Sequence, residues 1–197
     1  MLFVLAVGVA LVVGWILRGS VAGIVRLRLV VPWFLPLPFL LRSILFSTNH
    51  ISLSQLAADL QLVSYIGLLI WCVLNYKLPG SSFLILGTAL NALVVYANHG
   101  RMPVSEAAVT MLVPENLQVA ALSRLVEDGG SLTHTLLTQD TRFPLLADVI
   151  PVPLPWYPSV VSVGDLLLVI GVVWVIVSSM VRGNPFRAEG RVEPEKV

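Results

Sequence analysis

Two aspartates stand in surroundings that suit a carboxylate poorly. Asp148 lies in Leu146-Ala147-Asp148-Val149-Ile150, and Asp165 closes Ser162-Val163-Gly164-Asp165 just ahead of a long apolar run. An ionised acid near hydrocarbon costs about 2.5–3.5 kcal/mol at mid-span on insertion scales, so an acid kept there is a functional candidate by default. Two carboxylates brought together at a membrane face can share a proton, one acting as general base on water and the other as general acid, which is aspartic-protease chemistry. Asp165 also has a structural reading. Ser162 followed three residues later by an acid forms a capping-box pattern, and a carboxylate in a first helical turn is favoured by the helix dipole. Asp148 has no cap to explain it. Their separation along the chain fixes no distance, but a segment that leaves one interface and returns to it permits contact.

A second set of polar residues surrounds the pair: Asn98, Gly100, Arg101, Ser105, Arg142 and Ser162 are candidates for substrate binding or for structural polar roles. The two arginines suit lipid headgroups or pairing with Asp140 and Asp148, and pairing or solvation is the default for surface charges. His50, His99 and His134 form no i, i+4 pair, so no metal site and no cofactor are expected. Cys72 is the single cysteine, which excludes an intramolecular disulfide and any CxxC motif.

These residues must be carried by membrane elements. The 197-residue chain is 57% hydrophobic and 12% charged, with a mean hydropathy of +0.90, against about 45–50% apolar and about 25% charged for soluble proteins. Twelve basic residues balance eleven acids to a net charge of +1, so no surface suits nucleic acid. Stretches without charge or histidine run over Leu2–Leu17, Leu29–Leu41, Leu60–Tyr76, Leu78–Asn98 and Leu166–Val181. Extended by flanking residues, they predict five spans at 1–18, 28–47, 57–76, 80–97 and 160–181. Pro32, Pro36 and Pro38 make the second the least regular, with a regular helix starting as late as Pro38. The first lacks a preceding basic residue and a cleavage pattern, so it reads as a retained span. The fold expected is an all-α integral membrane bundle: a single membrane domain over 1–182 and a tail over 183–197.

Eight of the twelve basic residues fall on the side of the 18–28 loop, the 77–79 turn and the tail. That places the tail in the cytoplasm, and the N-terminus and the 98–159 loop outside, in the plasma membrane. The loop holds six of the eleven acids. Ser105 is expected to cap a helix over 106–112, and Pro114-Glu115 to open a second that ends at Gly129-Gly130. In this second helix Leu117, Ala121, Leu125 and Val126 share a face that packs on the bundle or the membrane surface. Pro151 to Pro158, with four prolines, reads as an extended strap anchored at the interface by Trp156 and Tyr157. Asn75 and Asn91 are expected to hydrogen-bond across helices, with Gly67, Gly87 and Gly171 allowing close approach.

Two resemblances follow. Asn98-His99-Gly100-Arg101-Met102-Pro103-Val104-Ser105, Leu137-Thr138 with Thr141-Arg142, Asp148-Val149-Ile150-Pro151 and Ser162-Val163-Gly164-Asp165 resemble a bacterial family of small polytopic membrane proteins classed only as a domain of unknown function. The match covers nearly the whole chain and implies no activity. The last third is also similar to signal peptidase II, the lipoprotein signal peptidase. Asp148-Val149-Ile150 stands for its first aspartate element, and Tyr157-Pro158 with Ser162-Val163-Gly164-Asp165 and Gly171 for its second. Asn98-His99-Gly100 with Ser105 matches its Asn-Gly stretch. This likeness implies Asp148 and Asp165 as a catalytic dyad acting on a lipid-linked peptide. The chain departs from that family in placing no span between the Asn-Gly stretch and the aspartates, in having Ser162 where the family has Asn, and in offering only Asp140 and Arg142 for an adjacent Asp-Arg pair. The first expectation is therefore a non-enzymatic scaffold or partner-binding membrane protein using its outer loop. The alternatives are the aspartyl peptidase and a lipid-headgroup binder. The partners expected are the bilayer and a membrane protein or lipid-linked peptide.

Overall fold

The computed structural model describes residues 2–34, 40, 54–126, 133–154 and 157–183, with main chain alone for Ser54, Arg124 and Val126. Among these, four apolar helices form the bundle: α1 (Leu2–Ile16), α3 (Ser54–Leu74), α4 (Ser81–Ala97) and α7 (Val163–Arg182). A one-turn α2 (Ala22–Val25) and a 3-10 turn (Pro32–Phe34) follow α1. The outer segment holds β1 (Met102–Val104), α5 (Glu106–Leu112), α6 (Glu115–Val126), β2 (His134–Leu136), a 3-10 turn (Pro144–Leu146), β3 (Ile150–Val152) and β4 (Ser159–Val161).

Helix α7 is the hub against which α1, α2 and α4 pack, and α3 packs on α4. Small residues make the crossing of α4 and α7 tight. A methyl group placed on Gly87 would sit 2.6 Å from the Gly164 carbonyl oxygen, and one on Gly171 2.6 Å from Leu84, so backbones approach where a side chain would hold them apart. Helix α1 buries Ala6, Ala10 and Gly14 and turns Val4, Leu5, Val12, Trp15 and Ile16 outward. Helix α4 likewise buries Ser81, Gly87, Thr88 and Asn91 and exposes Leu86, Leu93 and Tyr96. Polar Ser81, Thr88 and Asn91 are thus buried beside Leu84, Val94 and Val95, while many large apolar groups face outward.

The order of contacts gives the directions. Gly87 faces Gly164 and Gly80 faces Trp174, so α4 runs antiparallel to α7. Gly14 and Gly19 meet Met180, so α1 runs parallel to α7. Gly100, beyond the end of α4, lies on Ala58 near the start of α3, so α3 also runs parallel to α7. Helices α1 and α3 therefore point the same way, and the described chain after α2 turns back. It starts back along α3, because Val30 exchanges hydrogen bonds with the Asn75 side chain, Val31 accepts one from Trp71 Nε1, and Phe34 lies on Gly67.

Several expected boundaries move. The first span shortens to Leu2–Ile16, ended by Arg18 in a left-handed conformation. The third begins at Ser54 and ends at Leu74, and the fourth begins at Ser81. The fifth starts at Val163, because residues 159–161 form β4. Among the described residues two helices are long and apolar enough to cross a membrane, Gln55–Leu74 and Val163–Arg182. Helices α1 and α4, at 15 and 17 residues, rise about 22 and 26 Å, short of a hydrocarbon core of about 30 Å. Five full-length spans are thus not found among the described residues. The second expected span beyond Phe34, apart from Leu40, the 184–197 part of the tail, His50, Trp156 and the Gly129-Gly130 stop lie outside them.

The outer segment does fold on the bundle, through β1 and the Pro144–Leu146 turn against α4. Ser105 caps α5, its Oγ accepting from the Ala108 N–H at 3.3 Å. In α6 the expected buried face is looser than its spacing suggests, since Leu117 is exposed. The proline strap is not a free extended segment. Ile150–Val152 pairs antiparallel with Ser159–Val161, with Pro151 opposite Val160, because Pro can stand in a two-stranded edge where its missing donor faces outward. Asn75 holds the 30–31 segment rather than a neighbouring helix.

Candidate functional site

The position of Asp148 is set by a small parallel sheet. Strand β1 pairs with β2, Met102 opposite His134 and Val104 opposite Leu136, and on its other edge Val104 bridges Asp148. Main-chain bonds fix that edge, Ser105 N–H donating to the Asp148 carbonyl at 2.9 Å and Asp148 N–H to the Pro103 carbonyl at 3.0 Å. Met102 and Val104 are two apart and share a face, so their partners His134 and Asp148 share it too. The two side chains meet accordingly: His134 Nε2 lies 3.8 Å from Asp148 Oδ2, a charge-pairing distance beyond hydrogen-bond reach. On the other side of the ring, Thr133 Oγ1 is 2.9 Å from His134 Nδ1.

The position of Asp165 is set by a helix start and a helix crossing. Ser162 and Asp165 form the expected capping box: the Asp165 N–H donates to Ser162 Oγ at 3.0 Å and the Ser162 N–H to Asp165 Oδ2 at 3.3 Å. Asn91, fully buried on α4, completes a ring by donating from Nδ2 to Asp165 Oδ1 at 2.8 Å and accepting the Ser162 hydroxyl at 2.9 Å. Both carboxyl oxygens of Asp165 thus accept a hydrogen bond, which lowers the cost of holding a carboxylate there.

Both aspartates line one cavity of about 460 Å³, within the ~300–1,000 Å³ common for small-molecule sites. Its polar end carries Asp148, Asp165, His134, Thr133, Gln61 and Ser64. From there it runs between the helices past Leu68, Trp71, Leu84 and Leu168 to Val175 and Ile176. Asp165 and Ile176 stand eleven residues apart on one helix, so the slot is about 16 Å long.

The remaining candidates stand elsewhere, for none of Asn98, Gly100, Arg101, Ser105, Arg142 and Ser162 lines the cavity. Asn98 clasps the Arg142 main chain, Nδ2 donating to its carbonyl at 2.9 Å and Oδ1 accepting its N–H at 3.0 Å. Gly100 takes φ +80° against Ala58, a turn and an approach that both need glycine. Ser105 and Ser162 are caps, Arg142 is exposed and Arg101 half-buried. Among the described residues no group of three or more His, Cys, Asp or Glu is placed to hold a metal ion.

Residues 26–177 match the profile of DUF5317, a family of unknown function. The chain belongs to this family. It is also 35% identical over 111 residues to an uncharacterised protein of Thermotoga maritima, a match covering 56% of this chain and 58% of that relative, so the chain spans little more than half the relative's length. No solved structure matches. The DUF5317 match spans both aspartates and β1 to β4. The family's function is unknown and the relative is uncharacterised, so they lend the likeness to signal peptidase II no support.

Sequence reasoning passed over His134, Gln61 and Ser64. For Gln61 and Ser64 a signal existed. With Ala57, Tyr65, Leu68 and Trp71 they follow steps of three and four along α3, a polar stripe on one face of an apolar helix. His134 gave no signal, because the pairing of β2 with β1 joins segments about thirty residues apart.

Proposed function

We propose that this DUF5317 protein is a multi-pass membrane protein that binds an amphiphilic molecule inside its bundle, without acting on it. The tail lies in the slot between α3, α4 and α7, and the outer segment forms the headgroup end. The observation that carries this reading is a cavity with an apolar length and a polar end. Membrane residence is supported by the outward-facing apolar side chains of α1, α3, α4 and α7 and by the two long apolar helices. The parallel course of α1 and α3 supports a further crossing between Val30 and Ser54, which makes five. Arg18, Arg26, Arg28, Lys77 and Arg182 gather at the end of the bundle opposite the outer segment, which supports a cytoplasmic C-terminus and an N-terminus outside.

Native mass spectrometry of the detergent-purified protein is expected to show one amphiphile retained per chain after the micelle is stripped. Leu68→Trp, which fills the slot from α3 away from the α4–α7 crossing, is expected to lose it while eluting as a folded species. A wild-type protein with no adduct, or a folded variant that keeps it, overturns the reading.

The aspartyl hydrolase is favoured by one observation, that Asp148 and Asp165 open onto the same cavity. The ring of bonds on Asp165 weighs against it, because a group activating water must exchange those partners during turnover. Under the hydrolase reading Asp148→Asn and Asp165→Asn each abolish cleavage of a lipid-linked peptide by folded protein. Cleavage unchanged in both eliminates it.

A further inference from the structure

We infer that the amphiphile bound here carries a primary ammonium head. This deepens the cavity reading and depends on it. The polar end of the slot is rich in acceptors. Asp165 presents a carboxylate whose recorded bonds are from Asn91 and the Ser162 N–H, both neutral donors, and among the described residues no cation lies within ion-pair reach of it. Gln61 lies on the same wall, and its Oε1 is buried without a hydrogen-bond partner. An amide oxygen can accept two hydrogen bonds, and leaving it dry and unmade is unfavourable. Ser64, also on this wall, spends its hydroxyl proton on the Leu60 carbonyl at 2.7 Å, so toward the cavity it offers lone pairs. Asp148 adds a second carboxylate, with His134 beside it. Neither Arg101 nor Arg142 reaches the lining.

A head with three donors and a positive charge matches this wall: –NH₃⁺ offers three N–H groups to acceptors and brings a positive charge to the Asp165 carboxylate. A carboxylate or phosphate head would meet like charge, which favours discrimination by repulsion as well as by attraction. A quaternary ammonium brings charge without donors and leaves Gln61 Oε1 unmet. The lining past Leu68 to Ile176 is apolar and suits an alkyl tail.

The test titrates the detergent-purified full chain with n-dodecylamine, n-dodecanol and dodecanoate, which share one tail, using tryptophan fluorescence with Trp71 in the slot wall and native mass spectrometry for stoichiometry. The amine is protonated at neutral pH, as a lysine is. It is expected to bind at least about tenfold more tightly than the alcohol, the scale of a charge-assisted hydrogen bond, and more tightly again than the carboxylate. Gln61→Leu is expected to narrow the preference for the amine over the alcohol, because it removes an acceptor from the charged donor, which gains more from it than the neutral hydroxyl does. Equal binding of all three, or a preference for dodecanoate, overturns the ammonium assignment and leaves the slot standing. Failure of all three to bind overturns the slot itself and the assignment with it.

Discussion

Asp148 and Asp165 open onto one cavity, yet the chain holds them by different means. Asp165 is held through its side chain, in a ring with Ser162 and Asn91 that closes a helix start and a helix crossing together. Asp148 is held through its main chain, in a bridge to Val104, while its side chain stands on the cavity wall beside His134. The same residue type therefore serves the fold in one place, and in the other is presented by it. Substitution at Asp165 should register in stability as well as in binding, and at Asp148 mainly in binding.

The largest effect belongs to the crossing that carries the Asp165 ring. Gly87→Leu drives a side chain into the Gly164 carbonyl and Leu168. Overpacking against a backbone atom that has nowhere to go is expected to cost about 3 kcal/mol or more, read as loss of the monodisperse peak and a fall in melting temperature in detergent. Gly8→Leu on α1, where a new methyl group meets nothing within 4 Å, is the matched control and should leave both unchanged. Next comes Asn91→Ala. It leaves the Ser162 hydroxyl without its acceptor and Asp165 Oδ1 without its donor in a buried setting, for about 1–3 kcal/mol, read by thermal unfolding. If Asn91→Ala costs nothing, the ring is decoration and the contrast between the aspartates collapses.

How far each half could be read in advance follows from the same difference. The capping box spans three residues, so Ser162-Val163-Gly164-Asp165 announced itself, and so did the Ser105 cap on α5. The four apolar helices were legible from charge-free runs, because apolar stretches of that length are too long for strands and fit helices. The spacing of Gly87 and Gly171 with Asn91 marked the close crossing without saying which helix it met. What was hidden depends on pairing at a distance: β1 with β2, Val104 with Asp148, and β3 with β4 are three-residue or shorter contacts, too brief to print a period-two pattern. Prolines at 151, 153 and 155 disguised a strand as a strap, and polar clustering drew attention to Asn98, Arg101 and Arg142, which build the outer segment rather than the cavity.

The third prediction isolates the cap from the crossing. Ser162→Ala removes the acceptor of the Asp165 N–H and a donor to Asn91 but keeps Asn91 on Asp165. About 1 kcal/mol is expected, the usual value of an N-cap serine. A double-mutant cycle with Asn91→Ala should show coupling, since the two share a hydrogen bond. Strict additivity would mean that cap and crossing act separately.

The smallest effect on stability is expected at Asp148. Asp148→Asn keeps the size of the side chain and both main-chain bonds of the bridge, so unfolding should move less than for Asn91→Ala. The same substitution removes a carboxylate from the polar end of the cavity. Its binding consequence should therefore exceed its stability consequence, in reverse of Asn91→Ala. Paired measurements on one preparation, a melting curve and a dodecylamine titration, place each variant by the ratio of the two effects. A melting loss at Asp148 as large as that at Asn91 would show that its side chain also braces the sheet through His134. A binding loss at Asn91 without a melting loss would make the ring part of the site. Either result would erase the division of labour that the two aspartates express.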